Sequence, residues 1–470
     1  MKKFLKILFP VLIAVGLVGC DSFTSGINNN PNRPTSATAP KLSIGAQTAA
    51  IEFFEGFPDQ LATMWSRQTN GADRQFAGYE TYQGANGQAF SNMWSLAYQG
   101  VLTNLKLAEK QAGDIGNKNL VAVDQVMEGM TMGTITALFG DVPYSEAIQP
   151  DNTLTPHYDG QLKVYTEVQA TLDAAINQLK GNVGKSLASG VDVWSYQGDI
   201  ASWLRAAYTL KARFLMQVAK HGGYKTADLQ AVISAAQNGV VATDGSQDLM
   251  IPHSGGVYNG DMNLWYSFMV VDRSGYVDAA NNQAYTLMTD PARENAKTDD
   301  SLRAAYYYMP DNNGNPGQQL NTKDGVFTPT SSFALIRASE THLLMAEAYE
   351  RMGQDQNALD QLNEARTYDQ NVYGGTYKDL TLLDFQAGGV YANSTIMQQI
   401  LDEQYLSLEM QIEVFNFLRR VNFNVTDLTT PPGQSKFPQR YMYPQSEISS
   451  NPNTPKEAQS DLFVPLPVNK

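Results

Sequence analysis

The sequence predicts a mainly α-helical fold, a scaffold of paired helices carrying long irregular ligand-binding loops and few short strands. Three observations predict it. Apolar residues recur at i, i+3 and i+4 over much of the chain. One helix pair carries a specific repeat signature. The stretches between helices are rich in Gly, Asn and Pro and too long for simple turns. With 470 residues, 43% of them hydrophobic, the chain can bury a large core. The formal charge of −14 excludes a nucleic-acid partner, whose phosphates demand clustered Lys and Arg. The 33 Asn and 34 Gln, beside 10% aromatic residues, point to a surface wetted by amides and hydroxyls.

The chain opens on Met1-Lys2-Lys3, followed by a charge-free run over 7–18 that is too short to span a bilayer, which takes about 20 residues. Leu17-Val18-Gly19-Cys20 then has the form of a bacterial lipobox, and Cys20 is the only cysteine of the chain. Residues 1–19 are therefore expected to be a lipoprotein signal peptide. Residues 20–40, with Asn28-Asn29-Asn30 and three prolines, read as a tether lipidated at Cys20. Loss of Lys2, Lys3 and Lys6 with the signal would take the net charge to −17. One domain over 41–470 follows.

Within it, helical periodicity covers 42–67 (one or two helices), 90–111, 120–139, 161–180, 202–219, 334–351, 357–368 and 395–419. Ala346, Tyr349, Gly353, Ala358 and Ala365 have the spacing of a tetratricopeptide unit, in which small residues let two antiparallel helices approach and a glycine permits the turn. Trp94 and Trp203 fall on apolar helical faces and read as core, as do Trp65 and Trp194. Segments 70–89, 253–280, 310–330 and 429–470 have a different, loop-like texture.

Several segments stand in a distinctive order along the chain. They are Cys20, Asn30-Pro31-Asn32-Arg33-Pro34-Thr35, the set Trp94, Tyr98 and Asn104, and Phe139-Gly140-Asp141-Val142-Pro143-Tyr144-Ser145-Glu146-Ala147. Ile336-Arg337 with Ala346-Glu347-Ala348, and Arg440-Tyr441-Met442-Tyr443-Pro444 with Glu447 and Asn451, complete the set. In this order, and over essentially the whole chain, they resemble the SusD/RagB family of outer-membrane lipoproteins of the Bacteroidetes kind, and within it the SusD-like, starch-binding-associated group. The resemblance implies a protein that is not an enzyme; the residues themselves offer no cofactor motif and no metal-ligand set. Such a protein captures oligosaccharides, or in some branches peptides, and delivers them to a SusC-like TonB-dependent outer-membrane transporter. It also implies lipid anchoring in the outer membrane, facing the exterior. Asp21 is the single acid just after Cys20, where surface-exported relatives often carry several.

A neutral sugar offers hydroxyls and apolar C–H faces, so it is held by aromatic platforms beside forked polar groups. Two loops carry that mixture. The first holds Asp73, Arg74, Tyr79 and Tyr82; the second holds Tyr258, Trp265, Tyr266 and Tyr276. Trp265 is either a stacking platform or a buried loop anchor. Gly140-Asp141-Val142-Pro143-Tyr144 reads as turn chemistry at a helix end. Gly184-Lys185-Ser186 lacks the first glycine of a phosphate loop, since Leu179 stands there. In Asp311-Asn312-Asn313-Gly314-Asn315, Pro316 and Thr322 replace the Gly and Glu of a calcium loop, which leaves an exposed turn. Asp299-Asp300 reads as a solvated turn or cap. The four histidines never stand at zinc-ligand spacing on a helix. A lipid-anchored glycan hydrolase stays open, because paired carboxylates can be distant in sequence. So does a helical assembly scaffold without a small ligand.

Overall fold

The computed structural model describes residues 37–148, 154–256 and 259–470. Cys20 and Tyr258 lie outside them. The fold is mainly helical, with 54% of residues in helices and four separate two-stranded sheets among the described residues. Helix α1 spans Ala39–Glu55 and α2 Phe57–Trp65, so the periodic run over 42–67 is two helices broken at Gly56. A Cβ there would meet the Glu52 carbonyl at 2.4 Å.

Next come α3 (Arg74–Glu80), α4 (Gly87–Ser95) and α5 (Thr103–Asp114). A π-helical turn over Leu96–Leu102 joins the last two, and the Thr103 hydroxyl donates to the Tyr98 carbonyl (2.8 Å) inside it. Gly100 lets this turn approach α1; a Cβ would lie 2.9 Å from that of Ala49.

The scaffold proper is α6 (Lys118–Phe139), α7 (Gln161–Lys180), α8 (Ile200–His221), α9 (Thr226–Ala236), α10 (Ala338–Arg351) and α11 (Asp355–Tyr373). Each of these packs on the one before it, starting from α5 on α6. Helix α9 was not foreseen. In the tetratricopeptide-like pair α10–α11, Ala346, Ala358 and Ala365 are fully buried and Gly353 takes φ +70°. The small–small contacts and the left-handed turn are those that the spacing anticipates.

Two boundaries differ from expectation for tertiary reasons. Residues Phe333–Ile336 form a strand antiparallel to Leu249–Ile251, so α10 starts only at Ala338; a four-residue apolar run cannot be told from a buried helix by periodicity. The run over 395–419 splits into α12 (Ile396–Ser407) and α13 (Glu413–Arg420). Between them Met410 has φ +59°. The Gln68 side chain accepts from the Met410 amide (2.9 Å) and donates to the Tyr405 carbonyl (3.1 Å), taking up backbone groups at the break.

Helix α10 is the polar axis of the core. Arg420 forks onto Glu347 (2.5 and 2.7 Å), which also accepts from Gln404 (2.9 Å). Burial pushes the Glu347 carboxyl up, but Arg420 and Arg351 outweigh it and hold its pKa down at about 2.

The C-terminal segment threads back across the core. Tyr441 packs edge-on against Trp65 (5.3 Å) and donates to the Pro58 carbonyl (2.9 Å). Its neighbours close on the 139–144 turn: Arg440 donates to the Phe139 carbonyl and Tyr443 to that of Asp141 (2.7 Å). Asp141 in turn accepts from the Gln161 amide at the start of α7 (2.9 Å), so this motif is structural. Trp65, Trp194 and Trp203 are fully buried and Trp94 nearly so.

Asp300 corrects an expectation. It is fully buried and paired with Arg293 (2.5 Å), while Asp299 caps the Ser301 amide (3.0 Å). Asp311 accepts from the amides of Asn313 and Asn315 (2.8 and 2.9 Å), which makes the 311–315 segment an exposed turn. Among the described residues no helix is long and apolar enough to cross a membrane, and no three His, Cys, Asp or Glu side chains gather as metal ligands.

Candidate functional site

The two loops singled out by composition meet in space. Asn70–Gly71 pairs antiparallel with Val277–Asp278, and the Ala72 amide donates to the Tyr276 carbonyl (2.9 Å). Gly71 is required there, since a Cβ would lie 2.1 Å from the Phe76 carbonyl oxygen. A buried ion pair locks the junction. Arg67 meets Glu80 at 2.5 Å and donates to the Asn281 carbonyl (3.1 Å), while Glu80 accepts from the Gly71 amide (3.2 Å).

The second loop is tied down by the α1–α2 junction. Glu55 accepts from the Leu264 amide (2.7 Å) and meets His253 Nε2 (2.8 Å). Asp59 accepts from Trp265 Nε1 (2.9 Å). Burial raises the Asp59 carboxyl well above the usual range, and the Trp265 hydrogen bond offsets only part of that.

These ties frame an open cleft of about 640 Å³ between α1–α2, α3, α4 and the 264–273 segment. One wall is aromatic. Phe57, Phe76, Tyr79 and Phe268 pack at centroid separations of 5.1 to 6.0 Å, with Phe57, Tyr79 and Phe268 half-buried. Around them stand Gln75, Gln88 and Asn92, all exposed, with Glu52, Asp272 and Arg273 at the rim. Rings beside forked amides suit a ligand with C–H faces and hydroxyls.

Of the residues predicted from sequence, Tyr79 lines this cleft. Trp265 does not, and the expectation of a stacking platform is corrected. It is fully buried, tilted against Phe327 at 5.5 Å, and presents no face to solvent. Tyr82 is likewise buried, edge-on to Trp65 at 5.9 Å, so it offers no ligand contact either. Tyr276 is 7% exposed, and its hydroxyl accepts from Arg74 (2.8 Å), whose guanidinium also lies 5.1 Å from its ring centroid. Asp73 caps α3 through the Arg74 amide (2.8 Å). Tyr266 is half-buried and outside the cleft lining.

Most of these residues therefore build the cleft without lining it. Sequence reasoning missed Phe57, Phe268 and the α4 side chains Gln88 and Asn92. The Gly56-Phe57-Pro58 helix break was the available signal for Phe57. Helix α4 gave none, because its exposed face looks like any solvated helix.

The family model for SusD-like proteins, described as starch-binding and associating with the outer membrane, matches residues 45–444. Among solved structures, a SusD/RagB family protein from Bacteroides thetaiotaomicron is 22% identical, covers 92% of this chain and 99% of its own, and superposes with a TM-score of 0.67. A SusD homolog from Parabacteroides distasonis is 16% identical over 93% and 98% of the two chains, with a TM-score of 0.71. A chitin-binding SusD homolog from Flavobacterium johnsoniae is 16% identical over 92% and 99%, with a TM-score of 0.68. No curated protein sequence matches the chain.

Proposed function

The chain belongs to the SusD-like family, and from that premise we propose that it is a lipid-anchored nutrient-binding protein that captures neutral oligosaccharides in the cleft between α1–α2, α3, α4 and the 264–273 segment. It hands them to a SusC-like TonB-dependent transporter in the outer membrane. Cys20 is the anchor, and the cleft faces the exterior.

The observation that carries the ligand class is the pairing of the Phe57–Tyr79–Phe268 wall with Gln75, Gln88 and Asn92 in one open cleft. Ring faces take the C–H surface of a pyranose, and amides donate to and accept from its hydroxyls in either direction. The net charge, −14 for the full sequence and −17 once Lys2, Lys3 and Lys6 are lost, disfavours polyanionic chains. We read the protein as a binder and not an enzyme.

Affinity electrophoresis in gels containing starch or soluble chitin tests the ligand class: retardation is expected. Binding to peptides alone would move the ligand class, and reducing ends accumulating in incubated glycans would make it a hydrolase. A pull-down from native outer membranes should recover a large β-barrel. Recovery of none would overturn the delivery step.

A further inference from the structure

A second cleft, of about 610 Å³, lies on different elements and shares no lining residue with the first. It is nearly as large, whereas the two small voids beside Arg213 and Glu413 hold about 20 Å³ each. Its walls are the 287–295 segment and the 389–402 segment that leads into α12. We infer that this cleft is a second binding site, and that its ligand is a neutral saccharide.

The polar groups of the floor are held by internal partners. Arg293 is held by Asp300 (2.5 Å) and Glu403 (2.6 Å). Asp402 accepts three hydrogen bonds, from the Thr426 amide and hydroxyl (2.8 and 2.7 Å) and from Gln398 (2.9 Å). Asp290, at the edge, caps the Ala292 amide (2.8 Å). An anionic ligand therefore finds no uncommitted cation on the floor, because Arg293 is neutralised by Asp300 and Glu403.

The amides that line the cleft are neutral and bidirectional. Gln398 and Gln399 donate to Asp402 and Ser394, while their side-chain carbonyls accept no hydrogen bond among the described residues. Asn393 stands exposed at the mouth. Pro291 and Val390, the latter 37% exposed, supply apolar contact. Amides beside short apolar surface match the hydroxyls and C–H faces of a sugar.

The rim is preorganised as well. Tyr391 is buried, with its hydroxyl 2.7 Å from that of Thr298 and its amide donating to the Asp384 carbonyl (2.8 Å). Gly389 packs so closely that a Cβ would lie 2.4 Å from the carbonyl oxygens of Leu383 and Asp384. Little ordering cost is left for the ligand to overcome.

Hydrogen–deuterium exchange of the full chain, with millimolar maltoheptaose or chitohexaose, tests this site separately from the first. Protection over 386–399 with at least one probe is expected. It should weaken roughly tenfold in apparent Kd for Asn393→Ala/Gln398→Ala, the loss of about two neutral hydrogen bonds. It should vanish for Ala392→Trp, which fills the mouth without removing a polar group. Protection over 75–93 reports the first cleft and should be unchanged in both variants. The proposal is overturned by no protection over 386–399 with either probe, by protection that survives either variant unchanged, or by protection with peptides alone.

Discussion

Replacing Trp265 by Ala separates an anchor from a platform. The side chain is fully buried, packs on Phe327 and donates to Asp59 inside the core. Removing a buried Trp costs about 3–5 kcal/mol, and leaving the buried Asp59 carboxyl without its donor adds roughly 1–3 kcal/mol. A loss near 5 kcal/mol is therefore expected. Unfolding entropy of about 2.1 cal/mol/K per residue gives roughly 0.9 kcal/mol/K for a domain of this length, so Tm should fall by about 5–6 °C. Calorimetry reads the shift, and titration calorimetry with a bound oligosaccharide reads affinity. Affinity should also fall, because Trp265 holds the segment that presents Phe268. Trp265→Phe keeps the apolar contact and loses only the N–H, so it should lie between the two. An unchanged Tm for Trp265→Ala together with abolished binding would refute the anchor and restore an exposed ring.

Four further outcomes follow from the same geometry. Phe57→Ala and Tyr79→Ala should each weaken oligosaccharide binding by about tenfold while changing Tm little relative to Trp265→Ala, since both rings are half-exposed; unchanged affinity in both would move the ligand elsewhere. Gly71→Ala should abolish binding by displacing the Phe76 carbonyl and with it α3, and exchange protection of residues 70–80 would report the disruption directly. Because the folded-state pKa of Glu347 is depressed to about 2 from 4.5, its contribution to stability is present above pH 4.5 and is lost as pH falls toward 2; Glu347→Gln should remove that acid-side slope from a pH series of Tm. Asp124 has the opposite sign: burial, with a smaller push from Glu128, raises its pKa from 3.8 to about 8, so it costs stability increasingly as pH rises through that window. Asp124→Asn, which keeps an acceptor for the Ser43 hydroxyl (2.6 Å in the native protein), should raise Tm at pH 8 and leave it nearly unchanged at pH 4.

The residues that announce this fold are those whose role is local. Gln161–Lys180 shows its buried stripe in sequence because every third or fourth side chain turns toward the helices packed on it, α6 and α8. Gly353 and the alanines around it declare a close helix pair because only small residues permit one. The 73–83 and 253–276 loops are visible as compositional breaks, and the structure pairs them through Asn70–Gly71 and Val277–Asp278.

What their residues do was decided elsewhere. Trp265 and Trp94 are the same residue type. Only the position of Asp59, 206 residues away in the chain, makes the first a hydrogen-bonded anchor. Phe57 and Phe268 become a wall only when α1–α2 and the 264–273 segment close on each other. The split of α12 from α13 depends on Gln68, whose side chain takes the backbone groups of a segment 342 positions later. Periodicity reports which face of an element is apolar, so helices, the repeat-like pair and the loop-rich character followed from sequence alone. Which loop side chains face the core and which face a ligand is set by contacts between distant segments, and that was left to the tertiary structure.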